Sequence, residues 1–547
     1  MNTVWPLLRL RIRRDRVQLP IWLAVFFGLA AFVVFAVDSS FGTTAERQAL
    51  MRIAVGSPTI IIFRGEPQGA DADAVAFFLI FAFLATLVAF MSTFLAVRHT
   101  RAEDASGRSE LIAATPAGRL IPLLATALHG IGAALAAGLA VALGLLTAGL
   151  AGAGSVTTGA AVAGTGIAFL GVGLLAGQVM RTSRGANGLG AALIGLAYTL
   201  RAIGDAGGTA SADGLSMSSA WPSWLSPIGW GQQTEAFTTN RPAPLLLDLA
   251  LAAVLFAVVV LLQSRRDLGT SLIGERPGPE HAPRALAGSL GLAWRLQRAP
   301  MVGWALAGLV FGVLAGTLGE TVVELVESSA QVGDALARMA GGRASIIDLF
   351  TGTIFGLVGV IAAAAATQAM IRMRQEEANG SAELLLALPL RRGRWLVDYL
   401  LVGTVAIALV LLVATGGAAA GLASSAEAAG TASTAGTADR VASAAASGVA
   451  QAPAALLILV SAALLFAVVP RLSTGLSWGV LLTAAFIGEF GELFGLPDWL
   501  LTLSPFTHTP TIGAADVDWS GAWWMLGLAL AGAVLAGAGI RRRDLAL

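Results

Sequence analysis

Arg101-Ala-Glu-Asp-Ala-Ser-Gly-Arg-Ser-Glu-Leu-Ile-Ala-Ala-Thr-Pro116 comes back 273 residues later as Arg374-Gln-Glu-Glu-Ala-Asn-Gly-Ser-Ala-Glu-Leu-Leu-Leu-Ala-Leu-Pro389. The copies agree at Arg101/Arg374, Glu103/Glu376, Ala105/Ala378, Gly107/Gly380, Glu110/Glu383, Leu111/Leu384, Ala114/Ala387 and Pro116/Pro389, and just beyond at Arg119/Arg392. Polar segments of this kind are scarce, because 56% of the 547 residues are hydrophobic and only 12% are charged. Apolar runs long enough to span a bilayer flank each copy. The pattern predicts an all-α polytopic membrane protein made of two tandem repeats, each carrying one copy of the loop.

Working outward, about twelve helices approach the ~20 residues that a bilayer core requires. Those of the first repeat are expected at about 19–37, 74–97, 121–149, 158–180, 187–205 and 245–262. Those of the second fall at about 301–318, 348–371, 395–419, 453–470, 474–492 and 521–540. With both termini on the cytoplasmic side, 26 of the 34 arginines lie on that side, which orients the chain by the positive-inside rule. Both copies of the loop then face the cytoplasm. Residues 1–268 form the first repeat, 269–299 a proline-containing cytoplasmic connector, and 300–547 the second repeat. The repeats also share their endings, Arg265-Arg266-Asp267-Leu268 and Arg542-Arg543-Asp544-Leu545. Segments 42–55 and 319–340 read as short amphipathic helices on the outer surface, and tryptophans 221, 224, 230, 499, 519, 523 and 524 as an interfacial belt. The Ala/Ser/Gly/Thr-rich stretch 422–452 reads as a mobile insert without chemistry. The first span, behind Arg9, Arg11, Arg13, Arg14 and Arg16, reads as a retained anchor in a bacterial plasma membrane.

Composition excludes several functions. A net charge of +1 leaves no basic surface for nucleic acid, and the absence of cysteine removes thiol chemistry. His99, His129, His281 and His508 show no metal-ligand spacing, so no metal site is expected. All 34 basic residues are arginine. A P-loop needs a lysine to reach the terminal phosphates, so any ATP, with its Mg, is bound by another polypeptide. No nucleophile–base pair points to an enzyme.

On a single helix over 101–115, Glu103, Gly107, Glu110, Leu111 and Ala114 fall on one stripe, and Glu376, Gly380, Glu383, Leu384 and Ala387 repeat it. Pro116 and Pro389 end the helix before the chain re-enters the membrane. Carboxylates beside a small and an aliphatic residue suit docking into a groove, with Asp104, Arg119, Glu377 and Arg392 flanking it.

Two halves of six spans, Arg-x-Glu-Glu/Asp-x-x-Gly-x-x-Glu-Leu between spans two and three, and Trp224-Leu225-Ser226-Pro227 echoed by Trp499-Leu500 and Ser504-Pro505, resemble the permease subunit of actinobacterial ABC-2-type (type V) exporters, the polyketide-antibiotic and multidrug efflux family. The resemblance covers essentially the whole chain. It implies that 101–116 and 374–389 are coupling helices for two copies of a separately encoded P-loop ATPase, and that the cargo is a hydrophobic small molecule. It also implies that the second and fifth spans of each half line the pathway.

Phe78, Phe81 and Met91 are candidates for an apolar substrate path, against the alternative that such residues pack between helices or face lipid. Arg201 with Asp205, and Glu489 with Glu492, sit at span ends, where a local ion pair competes with a role in the path. A proton-coupled multidrug transporter with two parallel six-helix halves is the competing function.

Overall fold

The computed structural model describes residues 4–115, 118–265, 288–328, 343–428, 434–490, 497–512 and 517–544, with single positions between 281 and 286. Contacts divide the chain into two compact units, Met1–Pro277 and Gly278–Leu547. Eleven helices among the described residues are long and apolar enough to cross a membrane.

In the first unit, α1 (Val4–Arg14) leads into α2 (Gln18–Ser40), α3 (Thr44–Gly56), α4 (Pro58–Arg64) and α5 (Ala72–Arg98). The loop region holds α6 (Arg101–Ala105) and α7 (Arg108–Ala113). Then come α8 (Ile121–Thr147), α9 (Gly152–Val179) and α10 (Ser183–Ala206), a two-stranded ribbon (β1, Thr209–Ala210; β2, Met217–Ser218), α11 (Pro227–Gln232) and α12 (Leu245–Arg265). The expected helix over 42–55 is α3. Its start is fixed by a capping box in which Thr43 Oγ1 accepts from Glu46 N at 3.3 Å and Glu46 Oε2 accepts from Thr43 N at 2.9 Å.

The second unit contains α13 (Ser289–Ser328), α14 (Arg343–Ala378), α15 (Ser381–Leu386), α16 (Arg392–Ala428), α17 (Thr434–Val468), α18 (Ser473–Phe490), α19 (Asp498–Leu501) and α20 (Ser520–Arg542). The helix α18 stands where the fifth span of this half was expected, but its 18 residues are not among the eleven spanning helices. Of the stretch read as a mobile insert, 434–452 is helix running unbroken into the next span, and Ala444 and Ala450 are buried. Alanine is the strongest helix former, and a low-complexity run of it persists as helix where a spanning segment extends it. Of the predicted surface helix 319–340, residues 319–328 continue α13, and 329–340 lie outside the described residues.

Within lipid an apolar side chain gains little by leaving its surroundings, so helices associate through close packing of small residues. A Cβ added to Gly138 of α8 would sit 2.3 Å from the Gly159 carbonyl oxygen of α9, and one on Gly312 of α13 would sit 1.9 Å from the Ala414 carbonyl oxygen of α16. These backbones touch, and only glycine permits it. Phe77, Phe78 and Phe81 of α5 are buried in the first unit, with the Phe77 and Phe81 rings stacked at 4.7 Å. Phe83 and Phe94, on the same helix, are exposed, as are Trp221, Trp224, Trp499, Trp523 and Trp524.

Candidate functional site

The repeated loop is not one helix. Gly107 (φ 71°, ψ 1°) separates α6 from α7, and Gly380 (φ 74°, ψ −5°) separates α14 from α15. A left-handed residue cannot continue a right-handed helix, so each copy is an elbow with an inner and an outer arm. Glycine is there for its dihedral angles: no atom lies within 4 Å of where a Cβ would project at either position. The single stripe expected over 101–115 is therefore split at its centre.

The split separates the shared residues into two groups. On the first inner arm, Glu103 turns toward the body of its unit, where Arg14 Nη1 donates to its Oε1 at 2.9 Å and Arg11 lies 3.8 Å from its Oε2. Beside it Arg101, buried, donates from Nε to the Arg181 carbonyl at 2.7 Å and pairs with Asp104 at 3.5 Å. On the second inner arm, Glu376 accepts from Tyr399 Oη at 2.7 Å and from Trp395 Nε1 at 3.2 Å. Glu377, fully buried, takes a two-pronged contact from Arg543 at 2.6 and 2.8 Å, and the Arg543 guanidinium stacks 4.6 Å over the Phe466 ring. Arg392 donates to the Arg543 carbonyl. The closing Arg-Arg-Asp of the second repeat thus anchors its elbow; Arg266, its counterpart, lies outside the described residues.

The outer arms do the opposite. Glu110 and Glu383 are exposed, Leu111 is 73% exposed and Leu384 77%. Arg119 borders a cavity of about 190 Å³ beneath the first elbow, shared with His99, Glu103, Asp104, Gln178 and Gln263. Pro389 is exposed, and Pro116 lies outside the described residues.

Sequence spacing missed a second element of the first elbow. Asp15, His99 and His129 come from three separate segments and meet in the interior: Asp15 Oδ2 lies 2.7 Å from His99 Nε2 and 2.9 Å from His129 Nε2, while Arg98 reaches Oδ1 at 3.1 Å. Burial pushes the Asp15 carboxyl up, but hydrogen bonds from His129 and His99 and the Arg98 charge outweigh it and hold the group below the usual carboxylate range. The three ligand atoms lie within 4.8 Å of one another, close enough for a metal ion, so two histidines expected to stand apart do converge. Arg98 on Asp15, with Arg11 and Arg14 on Glu103, weighs against a divalent cation here. The cluster's chemistry is that of a latch fastening α1 to the root of the elbow.

At the opposite end of the first unit, Arg201 and Asp205 form the local pair that their spacing allowed, at 3.1 Å and fully buried. Arg201 also donates to the Ile62 carbonyl at 2.7 Å, capping the C-terminal end of α4. Asp205 Oδ1 accepts from Ser219 Oγ at 2.5 Å and Ser223 Oγ at 3.0 Å. Glu66, which no sequence signal marked, joins them through Ser219 N at 2.8 Å and Gln233 Nε2 at 3.2 Å. Burial, with Asp205 adding to it, pushes the Glu66 carboxyl up to about 7 against the hydrogen bonds from Ser219 and Gln233. Asp248 of α12 is buried against Gly164 of α9, and neither of its oxygens has a partner among the described residues.

Of the proposed path residues, Phe78 and Phe81 are core residues of the first unit, and Met91 borders a small cavity with Asp15, Trp22 and Arg98. The Glu489 carboxylate packs against the backbone at Gly356 of α14, and Glu492 lies outside the described residues.

Residues 286–541 match the family model for the C-terminal domain of the multidrug efflux system permease Rv1217c. The whole chain is similar to the multidrug efflux system permease protein Rv1217c of Mycobacterium tuberculosis (strain ATCC 25618 / H37Rv). Identity is 34% over 539 residues, covering 98% of this chain and 94% of the relative. Spanning helices, a doubled elbow and similarity along nearly the full length agree: the chain is a multi-pass membrane permease and belongs to the Rv1217c multidrug efflux permease family.

Proposed function

We propose that this permease is the transmembrane subunit of an ATP-driven exporter of hydrophobic small molecules, and that two copies of a separately encoded P-loop ATPase dock on its elbows. One observation carries the reading: two elbows of matching dihedral geometry each tie an inner carboxylate into their own unit and turn a Glu-Leu pair outward. An exposed leucine beside a carboxylate fits insertion into a groove whose rim is basic. The clamped inner arm carries the force of docking into the spanning helix behind it. The ATPase supplies nucleotide, metal and hydrolysis, because this chain has no lysine for a P-loop. Both elbows face the cytoplasm, where the arginine-rich loops lie.

The test is co-purification with the ATPase and permease-stimulated hydrolysis for Leu111→Asp, Leu384→Asp and the double variant. Docking on both elbows requires each single variant to weaken stimulation and the double to abolish it with the permease still folded; full stimulation in the double variant overturns the reading. The competing proton-coupled transporter draws on Glu66, a buried carboxyl poised near neutrality. Transport in vesicles driven by a pH gradient with no ATPase present would favour it.

A further inference from the structure

A cavity of about 790 Å³ in the second unit is lined by Leu386, Leu390, Arg391, Arg392, Gly393, Arg394, Val397 and Arg541, with no carboxylate among them. Two of its four arginines, Arg392 and Arg394, lie in the first turn of α16, a 37-residue helix with no acidic residue in that turn, and Arg391 immediately precedes it. That placement runs against helix electrostatics, since the N-terminal end of a helix carries partial positive charge and repels cations. Internal partners offset little of it. Arg394 Nε pairs with Asp398 at 3.0 Å and Arg392 donates to a backbone carbonyl, whereas the Arg541 guanidinium lies over Gly393 and adds a fourth positive group. The first repeat lacks this charge. With Arg119 aligned to Arg392, the positions of Arg391 and Arg394 hold Gly118 and Ile121. Below the arginines, Val397, Leu401 and Val405 form an exposed apolar row at four-residue intervals along α16, the spacing of a single helix face.

We propose that this cavity binds the phosphodiester headgroup of an anionic phospholipid, with one acyl chain lying along the Val397–Leu401–Val405 face. The guanidinium groups and the first free N–H groups of α16 supply donors for the phosphate oxygens. The apolar row favours a lipid over a free anion, and the position at the start of a spanning helix puts the headgroup at the membrane boundary. Occupancy cancels the repulsion among the arginines and steadies the root of the second elbow.

The full-length permease in phosphatidylcholine nanodiscs, with and without phosphatidylglycerol, gives the test. Lipid retention is read by native mass spectrometry and stability by thermal melting, for wild type, Arg391→Gln, Arg541→Gln and the control Arg471→Gln, an exposed arginine that is not part of the cavity lining. The expected result is preferential retention of phosphatidylglycerol and a higher melting temperature with it. Each cavity variant should lose about fivefold in retention, and the control should lose none. Arg391→Lys and Arg541→Lys serve if a glutamine variant does not fold, and should retain more lipid than glutamine. Equal retention of the two lipids, or equal loss in Arg471→Gln, overturns the proposal. So does inorganic phosphate stabilising the detergent-solubilised permease as well as phosphatidylglycerol does, because the site is then a free-anion site. Loss of ATPase co-purification in the cavity variants with lipid retention unchanged assigns the arginines to a protein partner, and also overturns it.

Discussion

At the scale of single residues, the carboxylates of this permease sort by what is near them rather than by type. Glu377 is buried and its charge is met by Arg543, which comes from 166 residues away. Replacing Arg543 by Ala removes the two short contacts to that charge and leaves the longer one from Arg374 at 3.8 Å, so the loss should approach but stay below the about 3–5 kcal/mol of a fully broken buried pair, read as a drop in melting temperature. Adding Glu377→Gln to it should recover much of the loss, which a double-mutant cycle measures. Glu66 behaves in the other sense. Its folded carboxyl sits near 7 against an ordinary 4.5, so its contribution is fully present at low pH and is lost as pH rises from about 4.5 through about 7. Melting temperature should therefore fall across that window in wild type, and Glu66→Gln should flatten the fall. Neither role is legible in the sequence, because each depends on a partner that only folding brings close. Glu103 and Glu110 look alike on a helical projection; Arg14, 89 residues earlier in the chain, makes one internal and leaves the other outside.

Among elements, the elbows and the close-packed helix pairs decide behaviour. Gly107→Ala and Gly380→Ala meet no steric obstacle, so their cost is the left-handed backbone alone, about 1–2 kcal/mol each. Asn tolerates that region better, and the ordering Gly, Asn, Ala in stability and in ATPase stimulation checks the assignment. Gly312→Val is different in kind: it drives a side chain into the Ala414 carbonyl and should prevent α13 and α16 from pairing, seen as loss of the monodisperse peak on size exclusion. Hydropathy made the spanning helices readable, since a bilayer imposes length and apolarity on them directly. It could not reveal the break inside the repeated loop. Gly107 and Gly380 stand in stretches rich in good helix formers, and only the observed φ distinguishes a glycine that bends from one that merely packs.

For the molecule as a whole, the repeat was visible in nine matched positions, and the two compact units carry one elbow each. The latch of Asp15, His99 and His129 was not visible, because its members lie on three segments, 84 and 114 residues from Asp15, that only folding brings together. The chain's lack of cysteine makes its topology directly measurable. Single cysteines at Leu111 and Leu384 should both react with a membrane-impermeant maleimide in inverted vesicles and in neither case from outside intact cells. Labelling of the two from opposite sides would remove the parallel arrangement of the repeats and, with it, docking on both elbows.

The helix leading into the second elbow is one unbroken rod: α14 runs for 36 residues, about 54 Å, up to the elbow at Gly380. A tilt of about 5° at its elbow end displaces the far end by about 5 Å, so this half acts as a stiff lever. Its counterpart is jointed. The chain leaves α5 at Arg98, turns through His99 and Thr100, and resumes as α6, with the joint held by His99 on Asp15. Under the proposed docking, the same push on the two elbows would be transmitted at full throw in one half and through a pinned hinge in the other. Two elbows alike in backbone geometry thus stand on supports of unequal stiffness.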